Sequence, residues 1–196
     1  MTVDFKEFIQ LAYEDSLDLK STKKAFMQIM NGEISEIQIS SFISLLQKSG
    51  VKSHHVIAAL EIMRKKMLSI NAPLNTMDTC GTGGDGKNSL NISTATAFVL
   101  AASGIPIAKH GNRALTSKCG SADVLKALNI NVDMETSKLE DCLRNIGICF
   151  MFAPNHHPAM KHVAQVRQLL GFRTIFNMLG PLLNPANVRN QIVGVY

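Results

Sequence analysis

After Asp141 the 196-residue sequence contains no acidic residue. Arg144, Lys161, Arg167, Arg173 and Arg189 are the cations of residues 142–196, so the whole formal charge of +5 lies there and residues 1–141 are neutral. A stretch of one sign attracts anions, whether phosphate, carboxylate or nucleic acid. Cysteine is also sparse, and Cys80, Cys119, Cys142 and Cys149 show no C-x-x-C spacing. They are expected to be reduced thiols, mostly filling the core. None of the six histidines stands in ligand spacing with a cysteine, which argues against structural zinc. The longest apolar run, Ala95 to Ala108, is interrupted by Ser103, Gly104 and Pro106 and is too short for a membrane span. The first residues are polar and acid-bearing, unlike a secretory leader, so a cytoplasmic location is expected. There is no internal repeat and no low-complexity tract. What remains is a sequence 46% hydrophobic and 18% charged, which can fill a packed core and does not read as disordered.

The first seventy residues carry helical signals alone. Phe5, Phe8 and Ile9 share one face. Ser21 is expected to start a second helix with Ala25, Phe26, Ile29 and Met30 inward, stopped by Gly32. Ser35 and Gln38 form a capping-box pattern before Ile39, Phe42, Ile43 and Leu46, with Gly50 closing that helix. Ser53 is expected to cap a fourth helix, with Val56, Ile57, Leu60, Met63 and Met67 in line. From about Leu74 strand-like runs (75–80, 105–109, 148–152, 191–196) alternate with helix-like runs (94–102, 122–128, 139–146, 158–170). This predicts an α/β protein: a small all-helical domain over 1–72, then a largely parallel sheet with crossover helices over 73–196. Ligands of such sheets gather beyond the carboxyl ends of the strands.

The string DTCGTGGDGKNSLNIST, residues 78–94, follows the first strand. Gly81, Gly83 and Gly86 match the dinucleotide pattern G-x-G-x-x-G, but the first acid after Asp85 is Asp123, too distant to hold a ribose hydroxyl. The nucleotide-hydrolase loop fails too, because Asn88 follows Lys87 where a hydroxyl is required. The general reading survives: successive main-chain N–H groups in a glycine turn before a helix seat an anion. The plain alternative is a strand-to-helix turn, which needs fewer than four glycines. In 91-NIST-94 the side chains are helix caps that can also meet phosphate oxygens, and one could join a magnesium shell. In 109-KHGNRA-114, Lys109 offers a point charge, Asn112 a donor and an acceptor, and Arg113 a planar fork, with Gly111 allowing close backbone approach. Thr116, Ser117 and Ser121 extend that polar segment, whose bland reading is a solvated loop with Ser121 as a cap. His156 and His157 precede Pro158 and read as turn or cap groups, and Arg167 could grip a carboxylate through two bonds.

Together the strings GTGGDG (81–86), NIST (91–94), KHGNRA (109–114), GSADVL (120–125), HPAMKHV (157–163) and VRQLLGFRTIFNMLGPLLNP (166–185) resemble anthranilate phosphoribosyltransferase, over essentially the whole chain. The resemblance implies a nucleoside-phosphorylase-type fold and a homodimer joined through the helical part. It implies transfer of phosphoribose from 5-phosphoribosyl 1-pyrophosphate to the amine of anthranilate, a step of tryptophan biosynthesis that uses Mg2+. By this resemblance Gly81, Gly84, Asp85, Ser89, Asn91, Ile92, Ser93 and Thr94 line the phosphoribosyl pyrophosphate. Lys109, His110, Gly111, Asn112, Arg113, Ala114, Leu115, Thr116, Ser117 and Ser121 continue that pocket. Ser93 is implied as the magnesium ligand, and Gly81, Asn112 and Arg167 as facing anthranilate. Ser89, Leu90 and Thr116 depart mildly from the pattern, and the Asp-Glu pair that binds magnesium later in longer family chains has no counterpart after Asp141. The resemblance thus implies an amino-terminal portion, without full activity alone.

Other readings of the same residues are a nucleic-acid-binding relative without transferase activity, suggested by the basic stretch, a pyrimidine nucleoside phosphorylase relative, and a dimerisation fragment. In a chain that binds both ligands, Arg167→Ala is expected to weaken anthranilate more than phosphoribosyl pyrophosphate, as titration of each would show. Equal loss for both would contradict the role given to Arg167.

Overall fold

The computed structural model describes residues 4–82, 90–114 and 119–195. In chain order the elements are α1 (Phe5–Tyr13), α2 (Leu19–Asn31), α3 (Glu36–Lys48), α4 (Ser53–Lys66), β1 (Met77–Gly81), α5 (Ile92–Ala102) and β2 (Ile107–Gly111). There follow α6 (Ser121–Ala127), α7 (Thr136–Asn145), β3 (Ile148–Phe152), α8 (Ala153–His156), α9 (Lys161–Leu170), α10 (Ile175–Leu179) and β4 (Asn190–Gly194). They fall into two compact units: Met1–Met67 with His157–Leu182, and Leu68–His156 with Leu183–Tyr196. Residues 157–182, which follow the expected boundary at 72/73, group with the first helices. They do so because Val163 and Val166 of α9 and Ile175, Phe176 and Leu179 of α10 are buried there, α9 against α2 and α3 and α10 against α4.

In the first unit the buried faces follow helical spacing. Phe26 and Phe42 are fully buried and meet edge to face at 6.1 Å, with Phe5 5.5 Å from Phe42 and Phe176 5.9 Å from Phe26. Ser35 caps α3 as its sequence predicts, accepting the Gln38 N–H. Two other starts differ. Asp18, not Ser21, caps α2: its carboxylate accepts the Ser21 N–H at 2.7 Å, the negative group that a helix start favours. Ser53 is the first residue of α4, not its cap, and His55 Nδ1 accepts the Lys52 N–H instead. The buried stripe of α4 is His55, Ala58, Ala59, Ile62 and Met63; of the expected line Met63 is buried and Ile57 is exposed.

In the second unit the described strands form a parallel sheet in the order β3-β2-β1-β4. Strands β1 and β2 begin two residues later than expected. Pro106 has no N–H for the ladder, but its carbonyl accepts the Met77 N–H at 2.8 Å and so aligns the two strands. Alternation along β3 sends Cys149 and Met151 to a core with Ile70, Ala108, Leu139 and Leu143, and Phe150 and Phe152 to another with Ala122, Leu125 and Val132. The segment expected as one helix from Pro158 opens with a 3-10 turn, Pro158–Met160, before α9. The short helices α8 and α10 carry too little periodic signal to be foreseen. Among the described residues no helix is long and apolar enough to cross a membrane.

Phe26→Ala should cost about 3–5 kcal/mol, because a fully buried ring with two aromatic partners leaves a cavity. Equilibrium denaturant unfolding measures this; a loss below about 1 kcal/mol would show that the site collapses around the smaller side chain.

Candidate functional site

From β1 the chain order runs outward to β2 and β3, whereas β4 lies on the opposite side of β1. A reversal of this kind opens a crevice at the carboxyl ends of the strands. Gly81 ends β1 beside Gly194 of β4, and the Thr82 N–H donates to the Gly194 carbonyl at 2.9 Å. Of the glycine-rich string, Gly84, Asp85 and Ser89 lie outside the described residues, as do Leu115, Thr116 and Ser117 of the second segment.

The described part of the site is a cluster of polar groups with one buried cation. Asn91 caps α5: its Oδ1 accepts the Thr94 N–H at 3.2 Å, the Thr94 hydroxyl at 2.8 Å and the Ser93 hydroxyl at 3.2 Å. Ser93 Oγ in turn accepts from Lys109 Nζ at 3.1 Å, and the same ammonium donates to the Thr79 carbonyl at 2.5 Å. Thr79 closes the ring by donating its hydroxyl to the Ser93 carbonyl at 2.8 Å. Strand β2 thus delivers Lys109 to the first turn of α5, where free N–H groups and the helix dipole already favour negative charge. Lys109 is 3% exposed, and burial pushes its ammonium below the usual lysine range. Asp78, wholly buried on β1, pulls it back toward the charged form. Burial raises the Asp78 carboxyl in its turn, against hydrogen bonds from Asn184, from the His110 N–H and from Gln191. The Cys80 thiol beside them is pushed up to about 11 by burial and is no nucleophile near neutrality.

Beyond β2 the segment Asn112–Ala114 is held against α6. Asn112 O accepts the Ala122 N–H at 3.2 Å, and Arg113 lies over the Phe152 ring, 5.5 Å from its centroid. Gly120 is required by close approach: a Cβ there would overlap Ala114 N and Arg113 C. At Gly111 a Cβ would meet the Phe150 ring at 2.8 Å, so packing supplies a reason for that glycine. Ser121 is the first residue of α6, and Asp123 Oδ2 accepts the Ala114 N–H at 2.9 Å and the Gly120 N–H at 2.8 Å. Those two bonds hold the Asp123 carboxyl below the usual carboxylate range. Ile92 is exposed.

Arg167 belongs to the helical unit, where its guanidinium lies 5.6 Å from the Phe176 ring centroid and burial lowers its pKa. His156 is buried, its Nδ1 2.7 Å from the Leu68 carbonyl, in keeping with a turn group. Reading by motif missed Asp78, Thr79 and Asn184, the buried polar groups behind the cluster. One signal was present: an acid in a strand facing a sheet interior.

For magnesium the described site offers Ser93 Oγ, an oxygen as a hard cation requires, which here donates to Asn91 Oδ1 and accepts from Lys109 Nζ. Among the described residues no group of three or more His, Cys, Asp or Glu comes together. One neutral hydroxyl fits an ion carried largely by a substrate's phosphates and its own waters.

Two family descriptions match this chain: the α/β domain of a glycosyl transferase family over residues 74–196, and the helical bundle domain of that family over 8–67. A protein of Novosphingobium aromaticivorans named anthranilate phosphoribosyltransferase is 47% identical over 179 residues, covering 91% of this chain and 54% of that protein. The crystal structure of the Thermus thermophilus protein of that name superposes with a TM-score of 0.89 at 37% identity, covering 96% of this chain and 58% of that one. The Saccharomyces cerevisiae protein in complex with PRPP and Mg superposes with a TM-score of 0.89 at 28% identity, covering 98% and 58%. The chain therefore spans about half the length of the relatives it matches.

The depressed Asp123 pKa gives a signed pH dependence. The clasp between Ala114 and Gly120 is complete above the carboxyl's unfolded value of about 3.9 and is lost as pH falls through the lower folded value. Carboxyl NMR titration should place Asp123 below about 3.9. A midpoint at or above that value would show that the two N–H bonds do not form in solution.

Proposed function

The chain belongs to the glycosyl transferase family defined by those helical-bundle and α/β domains, and from that premise we propose that it serves the transfer of phosphoribose from 5-phosphoribosyl 1-pyrophosphate to the amine of anthranilate. The products are N-(5-phosphoribosyl)anthranilate and pyrophosphate. The observation that carries this reading is the buried Lys109 ammonium at the first turn of α5, bonded to Ser93 and aligned with the capping Asn91. The names of the relatives, and the PRPP and Mg of the yeast structure, support the choice of ligands.

The chemistry suits such a site. The bond from ribosyl C1 to the pyrophosphate oxygen breaks with both electrons going to the leaving group. The amine nitrogen donates its pair to C1, and the amine proton departs to solvent or to released pyrophosphate. An aromatic amine is neutral at pH 7, so no strong base is required; positioning and stabilisation of the leaving charge suffice. In this reading Lys109 and the N–H groups opening α5 hold phosphate oxygens, and Gly81, Gly84, Asp85, Ser89, Ile92, Ser93 and Thr94 line the sugar phosphate. His110, Gly111, Asn112, Arg113, Ala114, Leu115, Thr116, Ser117 and Ser121 continue that lining. Ser93 would hold magnesium together with the substrate's phosphates, and the ion would neutralise pyrophosphate charge when bound. Gly81, Asn112 and Arg167 would face anthranilate, with Arg167 on its carboxylate. A place in tryptophan biosynthesis, a cytoplasmic location and a homodimer through the helical domain belong to the same proposal.

The nucleic-acid alternative draws on the acid-free stretch after Asp141. Of its five cations, Arg144 is bonded to Asp141 at 2.6 Å and Arg167 lies over Phe176, so the charge is not one open patch.

Because the chain spans about half the length of the relatives it matches, ligand binding tests this reading more directly than turnover. Calorimetric titration should show phosphoribosyl pyrophosphate binding in the presence of magnesium, weakened about tenfold or more by Lys109→Met through loss of a charge-assisted contact. Absence of binding to the unsubstituted chain, or salt-dependent DNA binding without anthranilate binding, would overturn it.

A further inference from the structure

Among the described residues the Arg167 guanidinium makes no ion pair and no hydrogen bond. What holds it is an aromatic ring: Cζ lies over Phe176, 5.6 Å from the ring centroid, within the range of cation–ring attraction. Arg167 stands in the last turn of α9, where the helix dipole favours a cation. The dipole accounts for the charge there but not for the direction of the side chain.

Local sequence brings the ring to the cation. Gly171, in the left-handed conformation with φ +65°, ends α9. The next helix starts within a few residues: the Thr174 N–H donates to Asn177 Oδ1 at 2.9 Å, and the Asn177 N–H to the Thr174 carbonyl at 2.9 Å. Phe176 therefore falls in the first turn of α10, beside the buried Ile175. Its ring is buried and meets Phe26 edge to face at 5.9 Å, and Phe26 meets Phe42 at 6.1 Å. A ring so enclosed cannot swing away without opening the core. Core packing explains an apolar side chain at this position; it does not explain a ring face beneath a cation.

An acid beside Arg167 would attract it too, but its oxygens would occupy the N–H groups of the fork. A ring face attracts the cation and supplies no oxygen acceptor, so the fork keeps its donors for another partner. Two such donors side by side match a carboxylate. We propose that Phe176 is a positioning residue for Arg167: its ring fixes the guanidinium so that the fork is presented, already oriented, to the carboxylate of an aromatic acid. The proposal rests on the role given to Arg167 in the functional reading above, and adds to it a residue that acts through another. Holding the fork in place before the ligand arrives reduces the ordering cost of binding.

The test uses the 196-residue chain with Phe176→Met, Phe42→Leu, Arg167→Ala, and Phe176→Met together with Arg167→Ala. Calorimetry follows anthranilate and, separately, phosphoribosyl pyrophosphate with magnesium. Phe176→Met keeps an apolar side chain of similar size and removes the ring face. It should weaken anthranilate about threefold to tenfold, the scale of a cation–ring attraction, and leave phosphoribosyl pyrophosphate within about twofold. Phe42→Leu, one ring further along the same core, should lower stability and leave both affinities unchanged. In the Arg167→Ala background Phe176→Met should add no further loss of anthranilate. Equal weakening of both ligands by Phe176→Met, an anthranilate loss as large in Phe42→Leu, or a further loss in the Arg167→Ala background overturns the proposal. If Phe176→Met does not fold, the Arg167 Nε–H resonance of the unsubstituted chain decides. An upfield position, from the ring current, supports the contact; the position of an unstructured peptide refutes it. Selective loss of anthranilate on Arg167→Ala with none on Phe176→Met overturns this proposal alone. Equal loss of both ligands on Arg167→Ala, or no anthranilate binding to the unsubstituted chain, overturns the functional reading and this proposal with it.

Discussion

A lysine ammonium held at the buried end of a parallel sheet is the constraint around which the second unit is arranged. Lys109 is almost entirely withdrawn from water, yet its Nζ is bonded to a strand carbonyl and a helix-start hydroxyl. Keeping a cation there requires neighbouring acceptors, a nearby carboxylate and precise strand alignment. The Thr79 carbonyl and the Ser93 hydroxyl, the latter bonded to the capping Asn91, are the acceptors, and the Asp78 carboxylate on β1 favours the charged form. The result is a positive group beside a helix N-terminus, where the backbone already favours an anion.

The supports of that group are small and tightly placed. Gly81 and Gly194 pair where β1 and β4 end, and Gly120 lets α6 begin against Asn112–Ala114. The Phe150 ring fills the space a side chain at Gly111 would take, and the Phe152 ring lies under Arg113. Two aromatic residues of β3 thus shape a segment whose polar residues are the ones of functional interest. The helical unit is organised differently, around Phe26, Phe42 and Phe176 in edge-to-face contact.

The expected helices and strands largely form, because apolar spacing and caps are local signals. The differences have local causes too. Asp18 takes the cap of α2 from Ser21 because a carboxylate meets both the free N–H groups and the dipole. The strands shift by two residues around Pro106, which cannot donate to the ladder. Asn91 as a cap was legible in NIST; Lys109 as a partner of Ser93 was not, since the two residues stand 16 apart and meet only through the pairing of β1 and β2.

The sequence by itself determined the two kinds of segment, the caps at Ser35 and Asn91, and the family likeness that its strings carry, because each is written in neighbouring residues. Tertiary structure decided what those residues do to one another. It returned residues 157–182 to the helical unit, where their apolar positions find a core. It buried Asp78 and Lys109 on adjacent strands, where burial opposes the charge of each and the opposite charge of the other partly offsets it. Burial and through-space charge depend on which strands lie side by side, and that is a property of the sheet, not of any short stretch of sequence.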